Sequence, residues 1–228
     1  MIEKYKFLDY PIFITGNATS GTTLLRNLLD GHKDLMVFPV QMGLRAFLDK
    51  EGMLYSDFEI DNFFQSGPTT GVNSLHLNKA SNDSGDRDYT DINFSELKKR
   101  VYSEWDQKTA KDLQNKVIKS FFDYSKYNQV SPKMWVEKTH GNDKYIELFL
   151  SWYPAAKIIH IIRDPYDNFS SYRKKMAKNG EAVDAVSFCV EWTLSIDRVL
   201  KAYKKYPQQV LILQFEKLLQ SPSNELLK

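Results

Sequence analysis

The sequence predicts a single α/β domain on a mainly parallel, five-stranded sheet with helices on both faces. Five short apolar runs lie at 11–15, 35–38, 135–139, 157–162 and 209–215, and helical patterns separate most of them. The runs are continuous rather than alternating, as strands covered on both faces require. A chain of 228 residues is long enough for one such domain with a substantial core, and no repeat or linker marks a second.

The elements follow in order. PIFIT (11–15) is β-branched and stops at Gly16, and LLRNLLD (24–30) has helical spacing closed by Gly31. LMVF (35–38) is the second strand. Residues 66–93 are rich in Ser, Asn, Asp, Gly and Thr, which predicts either a lid or a disordered insertion. Asn93 with Glu96 forms a capping-box pattern, and Phe94, Leu97, Val101 and Trp105 follow on one face. A long helical region, continuous or broken, is expected from about 94 to 127. WVEKT (135–139), KIIHII (157–162) and QVLILQF (209–215) supply the remaining strands. The closing SPSNELLK reads as the first turn of a helix, as though the chain continues beyond Lys228.

Composition excludes several function classes. With 31 basic and 29 acidic residues the formal charge is +2, so no global field recruits nucleic acid or a membrane and any anion site is local. No apolar run reaches the roughly 18 residues of a membrane span, and MIEKYKFLDY carries charges where a secretory leader is apolar. A cytoplasmic chain is expected. Cys189 is the only cysteine and sits in the apolar pattern AVSFCVEW, which predicts a small buried side chain.

Residues 16–23, GNATSGTT, have the glycine frame of a phosphate-binding loop between a strand and a helix, but Thr22 stands where a triphosphate-binding loop places lysine. Unpaired N–H groups at a helix start hold an anion without a charged side chain. The loop therefore suits a single 5′-phosphate, with Ser20, Thr22 and Thr23 hydroxyls as further donors. The alternative is an ordinary capped strand-to-helix turn. In RDPYDNFSSY (163–172), Arg163 emerges from a buried strand, Pro165 suits a helix start, and Ser170 and Ser171 follow. Arg163 is placed either to fork onto a second phosphate or to pair with Asp164 or Asp167 in a surface turn.

Together these stretches resemble the cofactor signatures of the sulfotransferase family, which uses 3′-phosphoadenosine 5′-phosphosulfate (PAPS) and releases adenosine 3′,5′-bisphosphate (PAP). The resemblance implies a P-loop-like domain that transfers a sulfuryl group to a hydroxyl or amine on a small-molecule or carbohydrate acceptor. It implies that Thr19, Ser20, Gly21, Thr22, Thr23 and Leu24 hold the 5′-phosphosulfate. Arg163 and Ser171, eight residues apart, would hold the 3′-phosphate, and Phe215 would stand where relatives place a tyrosine near the adenine. Two departures leave open whether the chain turns PAPS over or only binds it. Thr19 replaces a lysine or arginine, and Gln41 replaces a glutamate base, with Gly43 at a neighbouring histidine position. Lys138 could supply the missing cation and His140 a base, or His140 could be structural. No metal is expected. A P-loop kinase or nucleotide triphosphatase, which would need the loop lysine and a magnesium carboxylate such as Glu137 or Asp164, fits less well. The run RKKMAK (173–178) is either a solvated helix end or an attractant for an anionic acceptor.

Overall fold

In the computed structural model, which describes residues 3–49, 51–56, 59–65, 92–105, 109–126 and 131–226, the five apolar runs are five parallel strands. They are β1 (Pro11–Gly16), β2 (Leu35–Val37), β3 (Met134–Lys138), β4 (Lys157–Ile162) and β5 (Val210–Gln214), in the order β2-β3-β1-β4-β5. Helices connect them: α1 (Thr22–Leu29), α2 (Ile60–Gln65), α3 (Phe94–Glu104), α4 (Ala110–Tyr124), α5 (Ile146–Trp152), α6 (Pro165–Lys178), α7 (Ala185–Lys205), α8 (Phe215–Gln220) and α9 (Pro222–Leu226). β1 lies centrally, with Ile14 beside Lys138 on one flank and Ile159 on the other. The chain fills one side of the sheet before β4 starts the other, so the carboxyl end of β1 is where a crevice opens in this topology.

Strand alternation splits the core into two layers. Phe13, Trp135, Ile158 and Val210 face the larger one, with α3, α4, α5 and α7. Within it Phe13 stacks on Phe149 at 4.3 Å and meets Trp135 edge-on at 5.5 Å. Ile12, Ile14, Val136, Ile161 and Leu213 face the smaller layer, with Leu25 of α1 and Leu218 of α8. This puts Glu137 towards the first layer and Lys138 towards α1.

The helical region expected from about 94 to 127 takes the broken form: α3 ends with Trp105 as its cap, and Thr109 starts α4 by accepting from the Asp112 N–H. Its start is as expected, with Asn93 accepting from the Glu96 N–H at 3.1 Å. Cys189 is exposed rather than buried, because α7 turns Phe188, Ser195 and Val199 inward and leaves Cys189 with Val186, Val190 and Leu194 outside. Most of the segment 66–93, together with His76, lies outside the described residues.

Candidate active site

The loop after β1 is shaped by close backbone approach. A Cβ on Gly16 would lie 2.7 Å from the Ile161 carbonyl oxygen and from Ser20 Oγ, so a side chain there would push β4 and the loop apart. Thr19 takes a left-handed φ of 63° and Gly21 one of 103°, with the Ser20 N–H donating to the Asn17 carbonyl at 3.1 Å. Gly21 begins α1 with no side-chain cap. Among the described residues no group accepts from the N–H groups of Gly21, Thr22, Thr23 or Leu24, all aligned with the positive end of the helix. An ordinary capped turn would have satisfied one of them.

Asn168 of α6, which the sequence did not single out, fastens this loop. It is fully buried, and its Nδ2 donates to the Ala18 carbonyl at 2.8 Å and to Thr19 Oγ1 at 3.0 Å. The Thr19 hydroxyl donates to the Ala18 carbonyl at 2.6 Å. That hydroxyl therefore shapes the loop, and its proton is already committed. The only hint in the sequence is an amide one turn into the helix that Pro165 opens.

Arg163 follows β4. Its Nη1 donates to the Thr19 carbonyl at 3.0 Å and its guanidinium lies 4.6 Å from the centre of the Phe215 ring. The surface-turn alternative fails among the described residues: Asp164 caps α6, accepting from the Tyr166 and Asp167 N–H groups, and no carboxylate pairs with Arg163. Phe215, first residue of α8, packs on the loop so closely that a Cβ on Gly21 would lie 2.2 Å from its ring. The loop, Phe215 and Arg163 thus form one layered contact. Ser171 lies on α6 one turn beyond Asn168, on the same side of the helix. Leu24 is partly buried and packs into the smaller core layer.

Lys138 ends β3, is buried, and shares its face with Ile14 and Val136. Glu137 points the other way and is fully buried. Its carboxylate accepts from the Thr139 hydroxyl, the Met42 N–H at 3.2 Å and Asn142 Nδ2 at 2.9 Å. Burial pushes this carboxyl above its usual range, against those donors and Lys138, which favour the charged form. Glu137 therefore anchors the 40–44 segment, including the buried Gln41, and is not available as a magnesium ligand. No group of His, Cys, Asp and Glu side chains among the described residues could hold a metal.

His140 is half-buried and borders a cavity of about 450 Å³ together with Asn17 and Ala18 of the loop. Arg45, Tyr172, Met176 and Phe188 line other parts of its wall. Behind the loop, His160 lies beside Asp143, which accepts from Arg198 at 3.0 Å. Burial lowers His160 to about 4 while Asp143 pulls the other way, so the ring is neutral at pH 7. His32 is exposed and accepts from the Asp34 N–H, far from any such arrangement.

The family model described as the sulfotransferase family matches residues 11–228. The chain belongs to the sulfotransferase family. Its fold recurs in solved sulfotransferase structures. The sulfotransferase domain of the Synechococcus PCC 7002 olefin synthase superposes with a TM-score of 0.62 at 18% identity, over 95% of this chain and 70% of that one. A Mycobacterium avium sulfotransferase superposes with a TM-score of 0.53 at 14% identity, over 95% of this chain and 61% of that one. This chain therefore spans less than two thirds of the second structure's length. No curated protein matches the sequence.

For a sulfotransferase-family domain the arrangement is economical. The sequence-predicted loop, Arg163, Phe215, Lys138 and His140 all follow or end strands β1, β3, β4 and β5, and so gather at one edge of the sheet. Ser171 lies on α6, the helix that starts just after β4. Among the described residues no helix is long and apolar enough to cross a membrane.

Proposed function

We propose that this chain transfers a sulfuryl group from PAPS to a hydroxyl acceptor held in the cavity beside His140. The observation that carries the proposal is the uncapped start of α1, where the N–H groups of Gly21 to Leu24 have no acceptor and no lysine accompanies them. Such a cradle stabilises charge on a leaving 5′-phosphate without a metal. The residues fit the donor. Thr22 and Thr23 would meet the 5′-phosphosulfate, Arg163 and Ser171 the 3′-phosphate, and Phe215, already under a cation, the base. In the reaction the bond from sulfur to the 5′-phosphate oxygen breaks, a bond from sulfur to the acceptor oxygen forms, and the acceptor's proton leaves to a base. Lys138 is assigned the cation near the leaving phosphate and His140 the base.

Two observations favour a second reading, a domain that binds PAPS without turnover: the Thr19 hydroxyl is tied to Ala18, and Gln41 stands where the family resemblance places a glutamate base in several carbohydrate-sulfating relatives. Calorimetry with PAP, with and without magnesium, followed by incubation with labelled PAPS and a panel of hydroxyl acceptors, decides between them. Magnesium-independent PAP binding with label transfer supports catalysis. PAP binding without transfer to any acceptor supports the silent reading, and tight magnesium-dependent ATP binding would sink both.

A further inference from the structure

Resting on that assignment of the cavity, we infer that the acceptor is a hydroxy acid whose carboxylate is read by Arg45. Arg45 lies on the single helical turn Leu44–Phe47 that follows β2, and borders the same cavity as Asn17, Ala18 and His140. Its guanidinium lies beside Gly141, where a Cβ would be 3.5 Å from Cζ and 3.6 Å from Nε, in ordinary van der Waals contact. Nε is buried without a hydrogen-bond partner, and no carboxylate among the described residues pairs with the side chain.

The other charges on the cavity wall have partners or solvent. Asp143 pairs with Arg198 at 3.0 Å, Lys144 with Glu191 at 3.3 Å, and Asp184 caps α7 by accepting from Ser187. Glu181 is exposed. A cation with a buried, unsatisfied donor is unfavourable unless an anion completes it, and the guanidinium fork matches a carboxylate in two parallel bonds. Tyr172, Met176, Val183 and Phe188 make much of the remaining wall apolar. The complementary molecule has an apolar body, a carboxylate at one end and a hydroxyl directed towards His140 and the loop.

The test is calorimetry of ω-hydroxycarboxylates of four to ten carbons and of their methyl esters, on the free protein and on the PAP-saturated protein. At least one acid should bind about ten-fold or more tightly than its ester, a difference of the size expected for a charge-assisted pair. Arg45→Leu and Arg45→Gln should erase that discrimination, Arg45→Lys should restore part of it, and PAP binding should stay at the wild-type level in all three. The inference is overturned if acids and esters bind alike, if no acid binds, or if Arg45→Leu weakens PAP as much as it weakens the acid, which would assign the guanidinium to the donor. Failure of PAP to bind the wild type would instead refute the donor assignment, and the free-protein titrations would still decide the role of Arg45.

Discussion

Replacing Arg163 by alanine separates two jobs that the structure gives one side chain. The guanidinium donates to the Thr19 carbonyl at 3.0 Å and lies 4.6 Å over Phe215. The hydrogen bond contributes roughly 1.5–3 kcal/mol and the ring contact roughly 0.5–1 kcal/mol. Nε is buried without a partner, and its removal returns about 1 kcal/mol. The net loss is roughly 1–3 kcal/mol, and a chain of this length loses about 2–4 °C of melting temperature per kcal/mol. If Arg163 also holds the 3′-phosphate, PAP affinity should fall by a further roughly 10- to 150-fold, the worth of a charge-assisted bond. Adenosine 5′-phosphate, which lacks that group, should show only the small loss caused by a slackened loop. Differential scanning fluorimetry and calorimetry with both ligands measure the two parts. Phe215→Leu is the control: it removes the ring contact, keeps the cation, and should weaken both ligands equally. Equal losses for PAP and adenosine 5′-phosphate in Arg163→Ala would refute the 3′-phosphate assignment and leave Arg163 a loop support.

Three further outcomes are expected. His160 is neutral when buried and titrates near 4, below the roughly 6.5 of an exposed histidine, so the unfolded chain gains a proton first as the pH falls. Stability should therefore be lost between about pH 6.5 and 4, reaching about 2 kcal/mol at pH 5 in urea unfolding, and an unchanged pH slope in His160→Gln would contradict this. Gly21→Ala combines a left-handed φ of 103° with a Cβ 2.2 Å from the Phe215 ring. It should lower the melting temperature, with at least the roughly 1–2 kcal/mol of the backbone alone, and weaken PAP as the ring moves from under Arg163; an unaltered melt would count against the packing described. His140→Ala should reduce turnover by about 100-fold or more while PAP affinity holds, as removal of a general base does. Should it remain fully active while Gln41→Glu gains rate, the base lies on the segment after β2 instead.

Much of this protein was legible in one dimension. Continuous apolar runs such as KIIHII read as strands covered on both faces, and GNATSGTT between a strand and a helix marks a glycine-framed turn at the positive end of a helix, because backbone geometry and helix polarity are both local properties. The break at Trp105 and the exposure of Cys189 were less visible. AVSFCVEW is apolar on more than one side of a helix, so its pattern does not say which side turns inward. Packing decided that, with Phe188 set against Phe169 and Tyr172 of α6. The contacts that complete the site were beyond sequence reasoning altogether. Asn168 reaches the Ala18 carbonyl across 150 residues and Glu137 the Met42 N–H across 95, while Arg45 meets Gly141 from a different crossover. Spacing along a chain encodes which face of an element a side chain occupies. Which distant backbone groups that face meets is set only when the strands pair in the order β2-β3-β1-β4-β5, because hydrogen bonds and charges act over a few ångströms of space and carry no trace in the intervening sequence.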